Sequence, residues 1–106
     1  MEYSIFATSV FKKQFDKLCK KYPSMAEDVD ALKESLLSRP VQGESLGHGL
    51  YKVRLVIRSK GQGKSGGGRV ITWIKLVDHK IVLVTMYDKS DQETITIKDL
   101  LKLINF

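Results

Sequence analysis

From Tyr51 onward the chain alternates: Tyr51, Val53, Leu55 and Ile57 are apolar, and Lys52, Arg54, Val56 and Arg58 stand between them. Successive side chains of an extended chain leave opposite faces, so this stretch predicts a half-buried strand with one apolar and one mainly basic face. After a Gly-rich break the chain resumes as RVITWIKLV, whose β-branched and aromatic residues predict a second strand. The two strands predict a hairpin with a long, flexible, basic loop.

The charge of the whole chain sits in this hairpin. Tyr51 to Leu76 contains seven basic residues (Lys52, Arg54, Arg58, Lys60, Lys64, Arg69 and Lys75) and no Asp or Glu. Residues 1–50 carry seven basic and seven acidic residues and residues 77–106 four and five, so the net +6 divides as 0, +7 and −1. Lysines that only discourage edge-to-edge aggregation would explain some of these charges, but not seven without a counter-charge. A cationic sheet face beside a mobile basic loop suits a polyanion, nucleic acid first of all. On this reading Arg58, Lys60, Lys64 and Lys75 bind the nucleic acid, with Lys60 and Lys64 reaching phosphates from the loop.

The rest of the chain supplies a frame for that hairpin. YSIFA, residues 3–7, predicts an edge strand. Thr8 or Ser9 then caps a helix with Phe11, Phe15, Leu18, Cys19 and Tyr22 at helical spacing, and Pro23 ends it. Ser24 with Glu27 has the form of a capping box opening a second amphipathic helix to about Ser38. Arg39 to Gly49, with Pro40 and three glycines, predicts a loop. KIVLVTMY is apolar on both faces from Ile81 to Met86, the mark of a central strand covered on each side. Thr96 can cap a last short helix through Leu103. The order β, α, α, β, β, β, α, with short turns between consecutive strands, predicts an α+β domain in which an antiparallel sheet packs its helices on one face.

Length allows one domain, residues 1–106, and 42% hydrophobic content supports one core but not two. No apolar run approaches the roughly 18 residues of a membrane span, so a cytoplasmic protein with no membrane partner is expected. The single Cys19 forms no internal disulfide and lies on the apolar side of its helix, and His48 and His79 are too far apart to make a metal cluster with it. No cofactor is expected. Gly61, Gly63 and Gly66 spell GxGxxG but lead from strand to strand, without the helix N-terminus that a dinucleotide needs. Gly63-Lys64-Ser65 ends like a phosphate-binding P-loop, yet the earlier glycine that motif requires falls on Arg58.

The run YKVRLVIRSKGQGKSGGGRVITW followed by LVTMYDKSDQETIT resembles the RelE/ParE superfamily of bacterial toxins, and within it the HigB-type members. The shared pattern is a basic strand, a GKGK-like loop, a Gly-Gly-x-Arg-hydrophobic strand and a later Ile-Tyr-x-Lys, over about residues 48–97. The resemblance implies a RelE-like fold and a toxin of a type II toxin-antitoxin module. It also implies a ribosome-dependent endoribonuclease, an mRNA interferase that cuts message in the A site and is neutralised by a cognate antitoxin of helix-turn-helix type. Carried over by motif, Lys52 and Arg54 take the place of the basic pair before the loop, Arg69 that of the arginine after the glycines, and Lys89 falls in the basic segment after the last strand. Where many relatives have a tyrosine near the C-terminal helix this chain has Thr96 and Ile97, so Tyr87 is the substitute. Some relatives poison DNA gyrase without being nucleases, which keeps a ParE-like gyrase inhibitor, or an inactive antitoxin-binding protein, as the alternative.

Cleavage of RNA through its own 2′-hydroxyl needs no metal and no enzyme nucleophile. It requires a proton acceptor, cations to neutralise the phosphorane and a donor for the departing 5′ oxygen. The resulting assignment has Lys52 and Arg54 polarising the phosphate and Arg69 stabilising transition-state charge. Tyr87 acts as base or stacks on a base, and Lys89 assists the leaving group. Such weak acid-base equipment makes unaided cleavage slow and leaves the ribosome to hold the RNA ready for attack.

Overall fold

The computed structural model describes residues 2–60, 66–91 and 95–104. Along them run β1 (Ser4–Ala7), α1 (Ser9–Lys21), α2 (Met25–Ser38), β2 (Glu44–Gly47), β3 (Leu50–Leu55), β4 (Gly68–Lys75), β5 (Lys80–Asp88) and α3 (Ile97–Leu103). The strands form one sheet in the order β1-β5-β4-β3-β2. This is the expected α+β class, with three departures in detail.

First, the sheet is mixed. β2 to β5 are antiparallel neighbours, but β1 lies parallel to β5, with Ile5 opposite Ile81 and Ala7 opposite Leu83. Short turns fix the direction of consecutive strands only, and β1 is separated from its partner by both helices and the whole meander. Second, the stretch expected to be a loop contains β2. Its ESLG sequence has no β-branched residue, and it is held by pairing of Glu44 with Lys52 and Ser45 with Tyr51. Third, the helices do not share one face. α1 and α2 cover one side of the sheet, where Phe11, Leu18, Met25, Val29 and Leu36 pack against Val53, Val70, Ile81, Leu83 and Met86. α3 covers the other, with Leu100 packed against Leu50, Ile71, Val82 and Val84. The division of β5 between the two cores is the reason its sequence is apolar on both faces from Ile81 to Val84, as expected of a covered strand.

The cap of α1 follows the sequence and does more. Thr8 Oγ1 accepts the Phe11 N–H at 3.0 Å and donates to the Val84 carbonyl at 2.6 Å, so one hydroxyl both opens the helix and fastens it to β5. The capping box of α2 is not formed. Ser24 has helical dihedrals (φ −86°, ψ −3°), and its side chain makes no cap bond. A capping hydroxyl needs an extended backbone to fold over the first turn; here Ser24 Oγ turns outward to Asp28 at 2.6 Å and Ser59 at 2.8 Å, and Glu27 pairs with Arg58.

One irregularity sets the position of the site. Ile71 on β4 faces Thr85 and Thr72 faces Leu83, so Val84 is an extra residue without a partner, a β-bulge. Simple alternation from Ile81 would point Tyr87 towards α1 and α2. Past the bulge the parity reverses: Met86 joins the helix-covered core and Tyr87 leaves the opposite face. The bulge is pinned from α1, where Gln14 Oε1 accepts the Thr85 hydroxyl and the Met86 N–H, both at 2.8 Å.

Candidate active site

The basic strand face is built as its alternation predicts. Leu50, Lys52 and Arg54 leave the α3 side of β3, with Leu50 in the apolar cluster under α3 and the two cations beyond its edge. Across the sheet Arg54 is opposite Arg69 on β4, and Arg69 is opposite Tyr87 on β5. β5 ends at Asp88 and a 3-10 turn, Lys89–Asp91, follows. The Lys89 N–H donates to the Gly67 carbonyl at 3.0 Å, which ties this turn to the start of β4. Gly67 has φ +75°, and a Cβ there would run into the Leu55 carbonyl oxygen, so the tie depends on glycine.

Lys52, Arg54, Arg69, Tyr87 and Lys89 line one open cavity of about 530 Å³ together with Gly43 and Glu44. All five residues singled out as catalytic therefore share a wall of the same cavity. Arg69 is steadied by a hydrogen bond from Nη1 to the Gly68 carbonyl at 2.9 Å. None of the four cations forms an ion pair among the described residues. Glu44 is the one carboxylate in the lining, and the sequence reading missed it because it belongs to β2. Its only signal was an acid standing alone in a glycine-rich stretch, which does not separate a site residue from a solvated one.

The remaining cations of the hairpin have other partners. Arg58 Nε lies 2.9 Å from Asp28 Oδ1 and Nη2 lies 2.7 Å from Glu27 Oε2, and these partners, Asp28 first, raise its pKa. Lys75 pairs with Asp78 at 2.8 Å in the β4–β5 turn and lowers the pKa of that acid. Lys60, expected to be mobile, stands in a 3-10 turn with its side chain 11% exposed and Nζ 2.7 Å from Asp88 Oδ1. Lys64 lies outside the described residues. Absence of acids within the segment was therefore a poor guide, because the counter-charges come from α2, from the β4–β5 turn and from β5.

Asp88 is the hub of the back of the site. Its side chain is fully buried. Besides Lys60 it accepts the Tyr22 hydroxyl, the Ser90 N–H at 3.0 Å and the Ser90 hydroxyl at 2.8 Å, with Lys21 Nζ at 3.4 Å. Burial alone would raise its pKa, but the hydrogen bonds from Lys60, Tyr22 and Ser90 outweigh burial and hold the carboxyl well below the usual range. Because Asp88 stands between Tyr87 and Lys89, this anchor fixes the backbone from which both enter the cavity.

A mixed sheet with a helical pair on one face and an open, cation-lined cavity on the other defines a small basic α+β protein. The chain matches the family model described as the RelE toxin of the RelE / RelB toxin-antitoxin system over residues 4–105, and it belongs to that family of toxins. Among solved structures it is similar to a double arginine-to-alanine mutant of the E. coli toxin RelE in the free state. The likeness has a TM-score of 0.68 at 16% identity, covers 99% of this chain and 100% of that one, and is a likeness of fold. No curated protein matches the sequence. Among the described residues no helix is long and apolar enough to cross a membrane.

Proposed function

We propose that this toxin is a ribosome-dependent endoribonuclease that cleaves mRNA through the RNA's own 2′-hydroxyl, without a metal, and is held in check by a cognate antitoxin of helix-turn-helix type. The observation that carries the reading is the convergence of Lys52, Arg54, Arg69 and Lys89 with Tyr87 on one cavity, free of ion pairs among the described residues. Unpaired, preorganised cations are what a pentacoordinate phosphate demands. Lys52 and Arg54 bind and polarise the phosphate, Arg69 stabilises the charge of the transition state and Lys89 protonates or steadies the departing 5′ oxygen. Glu44 as a carboxylate and Tyr87 as a phenolate are the two candidates in the lining to take the 2′ proton. The HigB-like grouping within the family rests on the loop and the Gly-Gly-x-Arg strand of the sequence.

The test is mapping of RNA 5′ ends in a translation extract supplied with the purified protein. Cut message with ribosomes and intact message without them is the expected result. Intact message in both, with loss of supercoiling by DNA gyrase, would replace this reading with gyrase inhibition. Between the two base candidates, Tyr87→Phe and Glu44→Gln separate the roles: the true base is expected to cost about 10²- to 10⁴-fold in single-turnover rate, and the other much less.

A further inference from the structure

The zero net charge of residues 1–50 conceals a separation. α1 carries five lysines against Asp16, +5 − 1 = +4, while α2 carries Glu27, Asp28, Asp30 and Glu34 against Lys33, −4 + 1 = −3. The two helices are neighbours, yet among the described residues no lysine of α1 pairs with an acid of α2; the one ion pair made by α1 is Lys21 with Asp88. Lys13, Lys17 and Lys20 are exposed and, at i, i+4 and i+7, fall on one arc opposite the buried Phe11 and Leu18. They span about 10 Å along the axis, a reach that meets successive phosphates of a backbone.

The stripe is joined to the cavity. Lys17 and Tyr87 line a shallow depression of about 100 Å³ between α1 and the end of β5, with Gln14, Met86 and Asp91. Tyr87 also lines the cavity, so it is the ridge between the two. Protein partners bury aromatic and apolar groups and avoid lysine at the centre of an interface. The large apolar side chains exposed among the described residues are Phe6, Leu37, Val41, Val56, Leu76, Val77 and Leu101, and none is on α1. Phosphate contacts, by contrast, are made by lysines without apolar company.

We propose that Lys13, Lys17 and Lys20 form a second phosphate-contact surface that holds the backbone of a folded RNA while a single strand occupies the cavity. The proposal rests on the reading of the cavity as an RNA site. In it the stripe supplies affinity and orientation and the cavity supplies chemistry, so the two are separable by mutation.

The experiment compares the full-length protein with the triple variant Lys13→Gln, Lys17→Gln, Lys20→Gln, using ribosomes and a labelled RNA hairpin as probes over a range of salt. A second triple variant away from α1, Lys33→Gln, Lys98→Gln, Lys102→Gln, removes the same three charges and controls for net charge. The triple variant is expected to bind both probes about tenfold or more weakly, with the slope of log affinity on log salt reduced by about 2 to 3, one for each lost contact. Its cleavage should show a raised KM and an unchanged kcat. Unchanged affinity and slope with message cut as before would overturn the surface and leave the cleavage reading standing. Loss of hairpin binding in a protein whose parent cuts no message would support the surface and overturn the cleavage reading. Loss of binding to the antitoxin alone would make the stripe a protein interface and overturn the proposal.

Discussion

Arg69→Ala is expected to slow message cleavage about 10²- to 10³-fold, the scale for losing one preorganised charge donor, while ribosome binding and folding persist. The expectation follows from its position. Arg69 stands in register between Arg54 and Tyr87, the middle of the cavity wall, and its side-chain partners in the chain are backbone carbonyls and no carboxylate. Removing it deprives no other charge of a partner. Arg69→Lys should recover little, because an ammonium is a point charge and cannot make the forked contact of a guanidinium with two phosphate oxygens. Single-turnover cleavage in a translation extract, read beside ribosome co-sedimentation, measures both effects. A parent-like rate for Arg69→Ala would remove it from the chemistry.

Asp88→Asn is expected to destabilise the fold by about 3 to 5 kcal/mol, the usual cost of breaking a buried ion pair from one side. The amide keeps the shape of the carboxylate but leaves the Lys60 ammonium, 11% exposed, without its counter-charge. That is a large part of the roughly 5 to 15 kcal/mol that holds a domain together, and urea unfolding would show it as a lowered midpoint. Asp88→Asn combined with Lys60→Met should recover part of the loss, since the stranded charge is then gone. The pH dependence has a definite sign. The folded pKa of Asp88 lies below its unfolded value of about 3.9, so the stabilisation is present above about pH 4 and is lost as pH falls towards the folded pKa. The Asp88→Asn protein should lack this acid-side decline, and a variant that kept it would assign the decline to other carboxylates.

Much of this architecture was legible because it is local. The alternation through Lys52 and Arg54 fixed their common face, the Thr8-Ser9 pair announced the start of α1, and the doubly apolar Ile81–Met86 run announced a strand with a core on each side. What escaped was set at long range. Nothing in YSIFA shows that it pairs parallel with a strand more than 70 residues later, and the apolar positions of α3 show that it is amphipathic without showing which side of the sheet it covers. The fate of the basic residues is the clearest case. Lys60 and Lys52 look alike in the sequence, yet one is committed to a buried Asp88 and the other lines an open cavity. Only the fold brings Asp28 and Asp88 up to the hairpin and sorts its cations into structural and available ones.

The bulge at Val84 makes the end of β5 sensitive to count as well as to content. Tyr87 and Asp88 are neighbours with opposite destinations, a phenol for the cavity and a carboxylate for the buried anchor, and the unpaired Val84 decides which goes where. The same chain paired without the bulge would present a carboxylate to the cations of the cavity and drive a phenol against the ammonium of Lys60. The strand thus carries something like a reading frame, in which the spelling of the last residues has meaning only at the right offset.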